Sequence, residues 1–83
     1  MYQIEFKPRA RKDFLGLPPR VQERLRVKIE ALTLNPRPHG AIKLQGDEAY
    51  RLRDGDYRLI YDIEDKKLLI LILAVGHRKD IYR

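Results

Sequence analysis

Residues 49–63, Ala49-Tyr50-Arg51-Leu52-Arg53-Asp54-Gly55-Asp56-Tyr57-Arg58-Leu59-Ile60-Tyr61-Asp62-Ile63, decide the fold. Asp-Gly between two runs of β-branched, aromatic and leucine residues is a strong short-range hairpin signal. The spacing predicts a strand over 49–53, a type I′ turn at Asp54-Gly55 and a strand over 56–63. In that register Leu52 faces Tyr57, Arg51 faces Arg58 and Tyr50 faces Leu59. Because side chains alternate across a strand, Tyr50, Leu52, Tyr57, Leu59, Tyr61 and Ile63 fall on one side, and Arg51, Arg53, Asp56, Arg58, Ile60 and Asp62 on the other. A slip of one residue would mix arginines with leucines on both sides, so the pattern supports the sorted arrangement.

Toward the carboxyl end, a turn at Asp65-Lys66 leads into a strand over 67–75. The run Leu68 to Val75 is apolar without alternation, the pattern of a strand covered on both faces. Helices can cover only one. The other is screened by the loop and the carboxyl-terminal residues, or forms a docking groove for another protein. Gly76 reads as the break that ends this strand and delivers His77, Arg78 and Tyr82 near its end.

Toward the amino end, Tyr2, Ile4 and Phe6 alternate with Gln3 and Glu5, predicting a strand over 2–6. Pro8 suits a helix first turn and Gly16 a left-handed helix stop, predicting a helix over 8–15. Pro18-Pro19 and Asn35-Pro36 bracket a second helix, whose apolar stripe is Val21, Leu25, Ile29 and Leu32. Its remaining charges, Arg20, Glu23, Arg24, Arg26, Lys28 and Glu30, read as a solvated face with a helpful Arg26–Glu30 pair. Residues 36–48 read as a loop, with His39 a surface histidine. The order β-α-α-β-β-β gives an α+β fold: a mostly antiparallel four-stranded sheet with a two-helix hairpin packed on one face, in a single domain spanning 1–83.

Eighteen Lys and Arg against twelve Asp and Glu leave a formal charge of +6, which favours a polyanionic partner. The 83 residues contain no cysteine, excluding disulfides and thiolate metal sites and fitting a reducing, cytoplasmic compartment. Neither a signal-peptide pattern nor an apolar run long enough for a bilayer is present, so no membrane role is expected. The gathered arginines are the sharper clue. Like charges facing each other weaken a sheet by some tenths of a kcal/mol, and a bound phosphate would relieve that through charge-assisted guanidinium contacts. The blander reading has them splayed into water with Asp56 and Asp62 as partners.

Tyr50-Arg51-Leu52-Arg53-Asp54-Gly55-Asp56-Tyr57-Arg58-Leu59-Ile60-Tyr61 and Val75-Gly76-His77-Arg78-Lys79-Asp80-Ile81-Tyr82 resemble the two signature segments of RelE-type toxins, within the wider RelE/ParE superfamily. The likeness runs over essentially the whole chain. It implies a ribosome-dependent endoribonuclease that cleaves messenger RNA in the vacant A site by attack of a ribose 2′-hydroxyl on the adjacent phosphate, leaving a 5′-hydroxyl end. It further implies that no metal or other cofactor is needed, and that a cognate acidic antitoxin holds the toxin in a higher-order hetero-oligomer.

By motif position the resemblance assigns Arg51 and Arg53 to the two basic residues of the first hairpin strand and Arg58 to the phosphate-stabilising arginine. Arg78 becomes a second such arginine, Tyr82 the stacking or acid/base tyrosine, and Lys79 a further RNA contact. His77 is added because it adjoins Arg78. Well-studied members carry lysines at the positions of Arg51 and Arg53. Arginine does not deprotonate at working pH, so neither can be the base here. Proton transfer then falls to His77 or Tyr82, and His77→Gln is expected to cut activity more than Lys66→Gln. Some members carry a further carboxyl-terminal helix that these residues do not supply, which would leave the groove beside the last strand open. The rival reading is a ParE-like inhibitor of DNA gyrase on the same fold; a third is a plain RNA-binding module.

Overall fold

The computed structural model describes residues 1–46 and 48–81. Strands β1 (Gln3–Phe6), β2 (Ile42–Lys43), β3 (Tyr50–Asp54), β4 (Tyr57–Glu64) and β5 (Leu69–His77) form one sheet in the order β1-β5-β4-β3-β2. Helices α1 (Pro8–Leu15) and α2 (Pro19–Leu32) pack on one side of it, and a short α3 (Arg78–Ile81) follows β5. The expected α+β class is observed. The sheet has five strands rather than four because Ile42 and Lys43, expected in a loop, pair with Arg51 and Tyr50. Two residues carry too little periodicity to be legible as a strand. β1 pairs parallel with β5, and the other pairings are antiparallel.

The helix boundaries follow from their ends. Pro8 sits in the first turn of α1, where a missing N–H costs nothing. Gly16 closes α1 with φ −85°, so the expected left-handed stop is not used. Gln22 Nε2 instead reaches back from α2 to the carbonyls of Leu15 (3.0 Å) and Leu17 (2.8 Å), supplying donors that a helix end lacks. In α2, Val21, Leu25, Ile29 and Leu32 are buried as the periodicity requires. They meet Leu52, Leu59, Tyr61, Ile70, Ile72 and Val75 from the sheet and Ala10 from α1 in one core.

The central hairpin differs from expectation by two residues. Arg53 faces Arg58, Leu52 faces Leu59, Arg51 faces Ile60 and Tyr50 faces Tyr61, around a two-residue loop of Gly55 and Asp56. Only Gly55 has positive φ (60°) there, the pattern of a type II′ turn with glycine at its first central position rather than type I′. A shift of two preserves every side-chain direction, so the sorting into a core side and an arginine side survives. The partner of Arg58 changes from Arg51 to Arg53.

β5 runs on to His77 without stopping at Gly76, which pairs with Arg58 in the sheet. A Cβ at Gly76 would lie 3.6 Å from the Ile81 side chain, an ordinary van der Waals contact, so space does not require a glycine there. The core side of β5 is fully covered at Ile70 and Ile72, while Leu69, Leu71 and Leu73 are only half-buried. The apolar run is therefore covered unequally on its two faces.

Candidate RNA-binding site at the hairpin tip

One row of the sheet carries Arg53, Arg58 and Gly76 side by side on the outward face, and the next carries Arg51, Ile60 and Ala74. The three hairpin arginines thus share one surface. Arg58 lies deepest, 8% exposed. Its Nη1 donates to the carbonyls of Gly55 (2.8 Å) and Tyr57 (3.0 Å), while its buried Nε has no partner among the described residues. A buried charged donor left unsatisfied costs about 1–3 kcal/mol, more than a facing pair of like charges. Arg53 is exposed beside it, and Arg51 is half-buried.

The tip draws three more cations, from two further elements. Arg78, at the start of α3, donates its backbone N–H to the Asp56 carbonyl (2.8 Å) and brings Nε to 3.7 Å from Asp56 Oδ1. From α2, Arg24 Nε binds Asp54 Oδ2 at 2.8 Å. Lys28 Nζ lies 3.3 Å from the Arg53 carbonyl and 3.8 Å from Asp54 Oδ1. A four-residue turn is thereby held by Arg24, Lys28, Arg58 and Arg78. Arg24 and Lys28 are not among the site residues expected from the sequence. Their signal is the four-residue spacing of Arg20, Arg24 and Lys28, a helical stripe with no acid on it.

His77 is placed differently from the expectation. It pairs with Tyr57, and the two rings meet edge to face at 5.4 Å on the helix side of the sheet, behind the arginine row. Its Nδ1 accepts the backbone N–H of Lys79 at 3.1 Å. That is the geometry of an N-cap, in which the residue before a helix satisfies the second N–H of the first turn. Accepting at Nδ1 puts the proton of the neutral ring on Nε2. Behind His77, a cavity of about 620 Å³ opens between α1, the end of β5 and α3, with Arg9, Asp13, Tyr57 and Asp80 in its walls. Lys79 is exposed on α3. Tyr82 lies outside the described residues.

With this geometry in place, comparison with known proteins is decisive. A family model described as the ParE toxin of type II toxin–antitoxin systems matches residues 4–82. Toxin RelG of Mycobacterium tuberculosis is 36% identical, over 99% of this chain and 97% of its own. The mRNA interferase toxin RelE of Escherichia coli K12 is 35% identical, over 94% of this chain and 84% of its own. The chain belongs to the RelE-type toxins of the RelE/ParE superfamily. Among solved structures, the isolated E. coli RelE toxin superposes with a TM-score of 0.85 at 30% identity, covering 93% of this chain and 84% of that one. The toxin–antitoxin complex of archaeal RelE and RelB from Pyrococcus horikoshii gives 0.83 at 30% identity, with coverages of 95% and 97%. The RelE-type chain described here therefore shares its fold, and not only its two signature segments, with these toxins.

Proposed function

We propose that this RelE-type toxin is a cytoplasmic, ribosome-dependent endoribonuclease whose hairpin arginines hold the scissile phosphate of A-site messenger RNA. The observation that carries the reading is Arg58, buried on the outward side of the sheet with an unsatisfied Nε and another arginine directly opposite. Folding alone gives no reason to keep such a group, whereas an anion seated on it would complete its hydrogen bonding. In the reaction, the ribose 2′-oxygen bonds to the adjacent phosphorus, the bond from phosphorus to the 5′-oxygen breaks, and a 5′-hydroxyl end leaves. Arg58 and Arg53, with Arg51 and Arg78 beside them, stabilise the charge that gathers on the pentacoordinate phosphorus. Lys79 adds a contact to the RNA backbone.

A base must take the 2′-hydroxyl proton and an acid must supply one to the leaving oxygen. Arginines do neither, so this work is assigned to the residues that follow β5. Tyr82 is the transferring group, and His77 is a positioning residue that caps the helix carrying Arg78 and leading into Tyr82. An acidic antitoxin is the expected inhibitor. It would cover the arginine row, the half-buried leucines of β5, or both, within a higher-order complex.

The test is primer extension on programmed ribosomes with purified protein. Wild type is expected to give 5′-hydroxyl cuts within the A-site codon, and Arg58→Ala to lose at least about 10²-fold, the scale of removing one preorganised donor. Undiminished cutting by Arg58→Ala removes the arginine row from the mechanism. The ParE description of the matching family model supports a second reading, an inhibitor of DNA gyrase. It calls for gyrase-dependent DNA damage with messenger left whole.

A further inference from the structure

α3 has four residues, Arg78–Ile81, too few for a helix to hold itself. Two hydrogen bonds at its start place it. The Arg78 N–H donates to the Asp56 carbonyl (2.8 Å), and the Lys79 N–H to His77 Nδ1 (3.1 Å). The carbonyl is a permanent acceptor, but an imidazole nitrogen accepts only while it carries no proton. The surroundings of the ring offer it a second arrangement. His77 is half-buried in the wall of the cavity of about 620 Å³, and its Nε2 makes no hydrogen bond among the described residues. Titratable and charged groups reach that cavity from each element around it: Arg9 and Asp13 from α1, Tyr57 from β4 and Asp80 from α3, with Arg78 next to His77 in the chain. Tyr57 meets the ring edge to face at 5.4 Å, and Asp13 is paired with Arg9 at 3.3 Å. A carboxylate accepts up to about four hydrogen bonds, so Asp13 and Asp80 can take an imidazolium N–H and keep their present contacts.

We infer that His77 and α3 form an acid-sensitive latch, in which protonation of the ring breaks the cap and frees the helix together with Arg78 and the residues after it. With hydrogen on both ring nitrogens, Nδ1 and the Lys79 N–H become two donors facing each other. A positive charge beside a helix N-terminus adds to the conflict. The ring then turns into the cavity, toward Asp13 and Asp80, and the proton comes from solvent. The released state holds one proton more than the latched state, so the latch is complete at higher pH and is lost as the pH falls. Imidazoles change charge between about pH 5 and 8, a range in which ordinary carboxyl and tyrosine groups do not. The effect of the latch on cleavage rests on the reading above, and its effect on α3 does not.

The experiment follows the backbone amides of residues 78–81 by NMR, in the purified full chain, between about pH 8 and about pH 5.5. His77→Asn serves as a cap that does not titrate, and His77→Ala as the absence of a cap. In wild type the ratio of latched to released α3 is expected to fall about fivefold with acid, the weight of one cap, bringing its amide shifts toward those of His77→Ala. His77→Asn should stay latched throughout, and amides of the central strands should hold still in all three. Cleavage on programmed ribosomes, taken as the ratio of wild type to His77→Asn so that other titrations cancel, should fall by the same factor. A proton-transfer role for His77 alone would bend the cleavage profile and leave the amides unmoved, and would overturn the latch. So would α3 amides that ignore pH in wild type, or acid release of equal size in His77→Asn, which would assign the switch to a carboxylate. A steady cleavage ratio over a loosening α3 would overturn the regulatory role. Absence of ribosomal cutting at every pH would sink the proposed activity instead, and leave the amides to decide.

Discussion

The two ends of the long strands use the same residue types to opposite effect. At the end away from the hairpin tip, Arg37 donates from Nη2 and Nη1 to the two oxygens of Asp65 (2.9 and 3.3 Å) and from Nε to the Tyr50 hydroxyl (3.1 Å). The Tyr2 hydroxyl donates to the same carboxylate, and that of Tyr61 to the Pro36 carbonyl at 2.8 Å. Tyr50 and Tyr61 stack at 5.9 Å between them. Arg37 there uses all three of its nitrogens on this chain. At the tip, Arg58 keeps a buried Nε unused and faces another cation. One arginine ties the α2–β2 loop to the turn before β5, while the other leaves a buried Nε without a partner among the described residues, the feature on which its proposed phosphate contact rests.

The sharpest way to break this contrast is to replace each arginine by a long apolar side chain. Methionine removes the buried Nε that lacks a partner among the described residues, which favours the fold, but also the hydrogen bonds to the Gly55 and Tyr57 carbonyls, which costs about 0.5–1.5 kcal/mol each. Because the two effects offset, Arg58→Met is expected to hold the melting temperature within a few degrees of wild type while cleavage falls about 10²- to 10³-fold. Arg37→Met should do the reverse: cleavage stays within about twofold, and Tm drops by roughly 2–5 °C, a small change because the pair is solvent-screened. Measured side by side, a large Tm loss in Arg58→Met would make that arginine structural and dissolve the comparison.

The next effect concerns how α3 is attached. If His77 works by capping, the requirement is an acceptor for the Lys79 N–H. His77→Asn can supply one, and should retain most activity. His77→Ala cannot, and loss of a cap costs about 1 kcal/mol, or roughly fivefold in cleavage if ordered α3 is needed. His77→Gln should fall between, still below Lys66→Gln. A loss of 10² or more in both His77→Asn and His77→Ala would restore His77 as a proton-transfer group.

How much of this is legible in the sequence follows from the range of each interaction. Arg51, Arg53 and Arg58 sort onto one face because alternation along a strand is local, and a register error of two residues cannot move a side chain across the sheet. The turn type is not legible because Asp54-Gly55 and Gly55-Asp56 are both good hairpin loops, and what separates them is the match of Leu52 with Leu59 and Tyr50 with Tyr61 across the pair. Nearness in sequence groups His77 with the arginines, but it is an odd neighbour of Gly76, and alternation sends it to the other side. The Arg37–Asp65 pair joins residues 28 apart with no shared motif. The charges of α2 read as one solvated face because their partners, Glu23 and Glu30 for one stripe and Asp54 for the other, become distinct only once β3 is packed alongside.

A moderate effect is expected at Tyr61, which is fully buried and whose hydroxyl is pushed up from 10.0 to about 12, chiefly by burial and then by Tyr50. A raised folded value means the neutral form is the one the fold favours. Its contribution is complete below pH 10 and drains away as the pH climbs through about 12. Tyr61→Phe should cost about 1–2 kcal/mol at neutral pH by leaving the Pro36 carbonyl unpaired. The variant should also lose stability less steeply than wild type in strong alkali. Parallel alkaline curves would assign the wild-type slope to other groups.

The smallest effect sharpens the contrast from the acid side. Hydrogen bonds from Arg37 and then Tyr2 hold the Asp65 carboxyl below its ordinary value of 3.8. The sign is therefore opposite to that of Tyr61: the contribution is present above pH 3.8 and is lost as the pH falls through the lower folded value. Asp65→Asn removes the titrating group, so its stability should start slightly lower and decline less than that of wild type as the pH falls below 3.8. Because the network is exposed, added salt should shrink the difference. Arg58 is tied by carbonyls that do not titrate, so Arg58→Met is expected to follow the wild-type acid slope. If Asp65→Asn and wild type decline alike, the end that looks electrostatically closed in the structure contributes nothing measurable, and the division of labour between Arg37 and Arg58 rests on the tip alone.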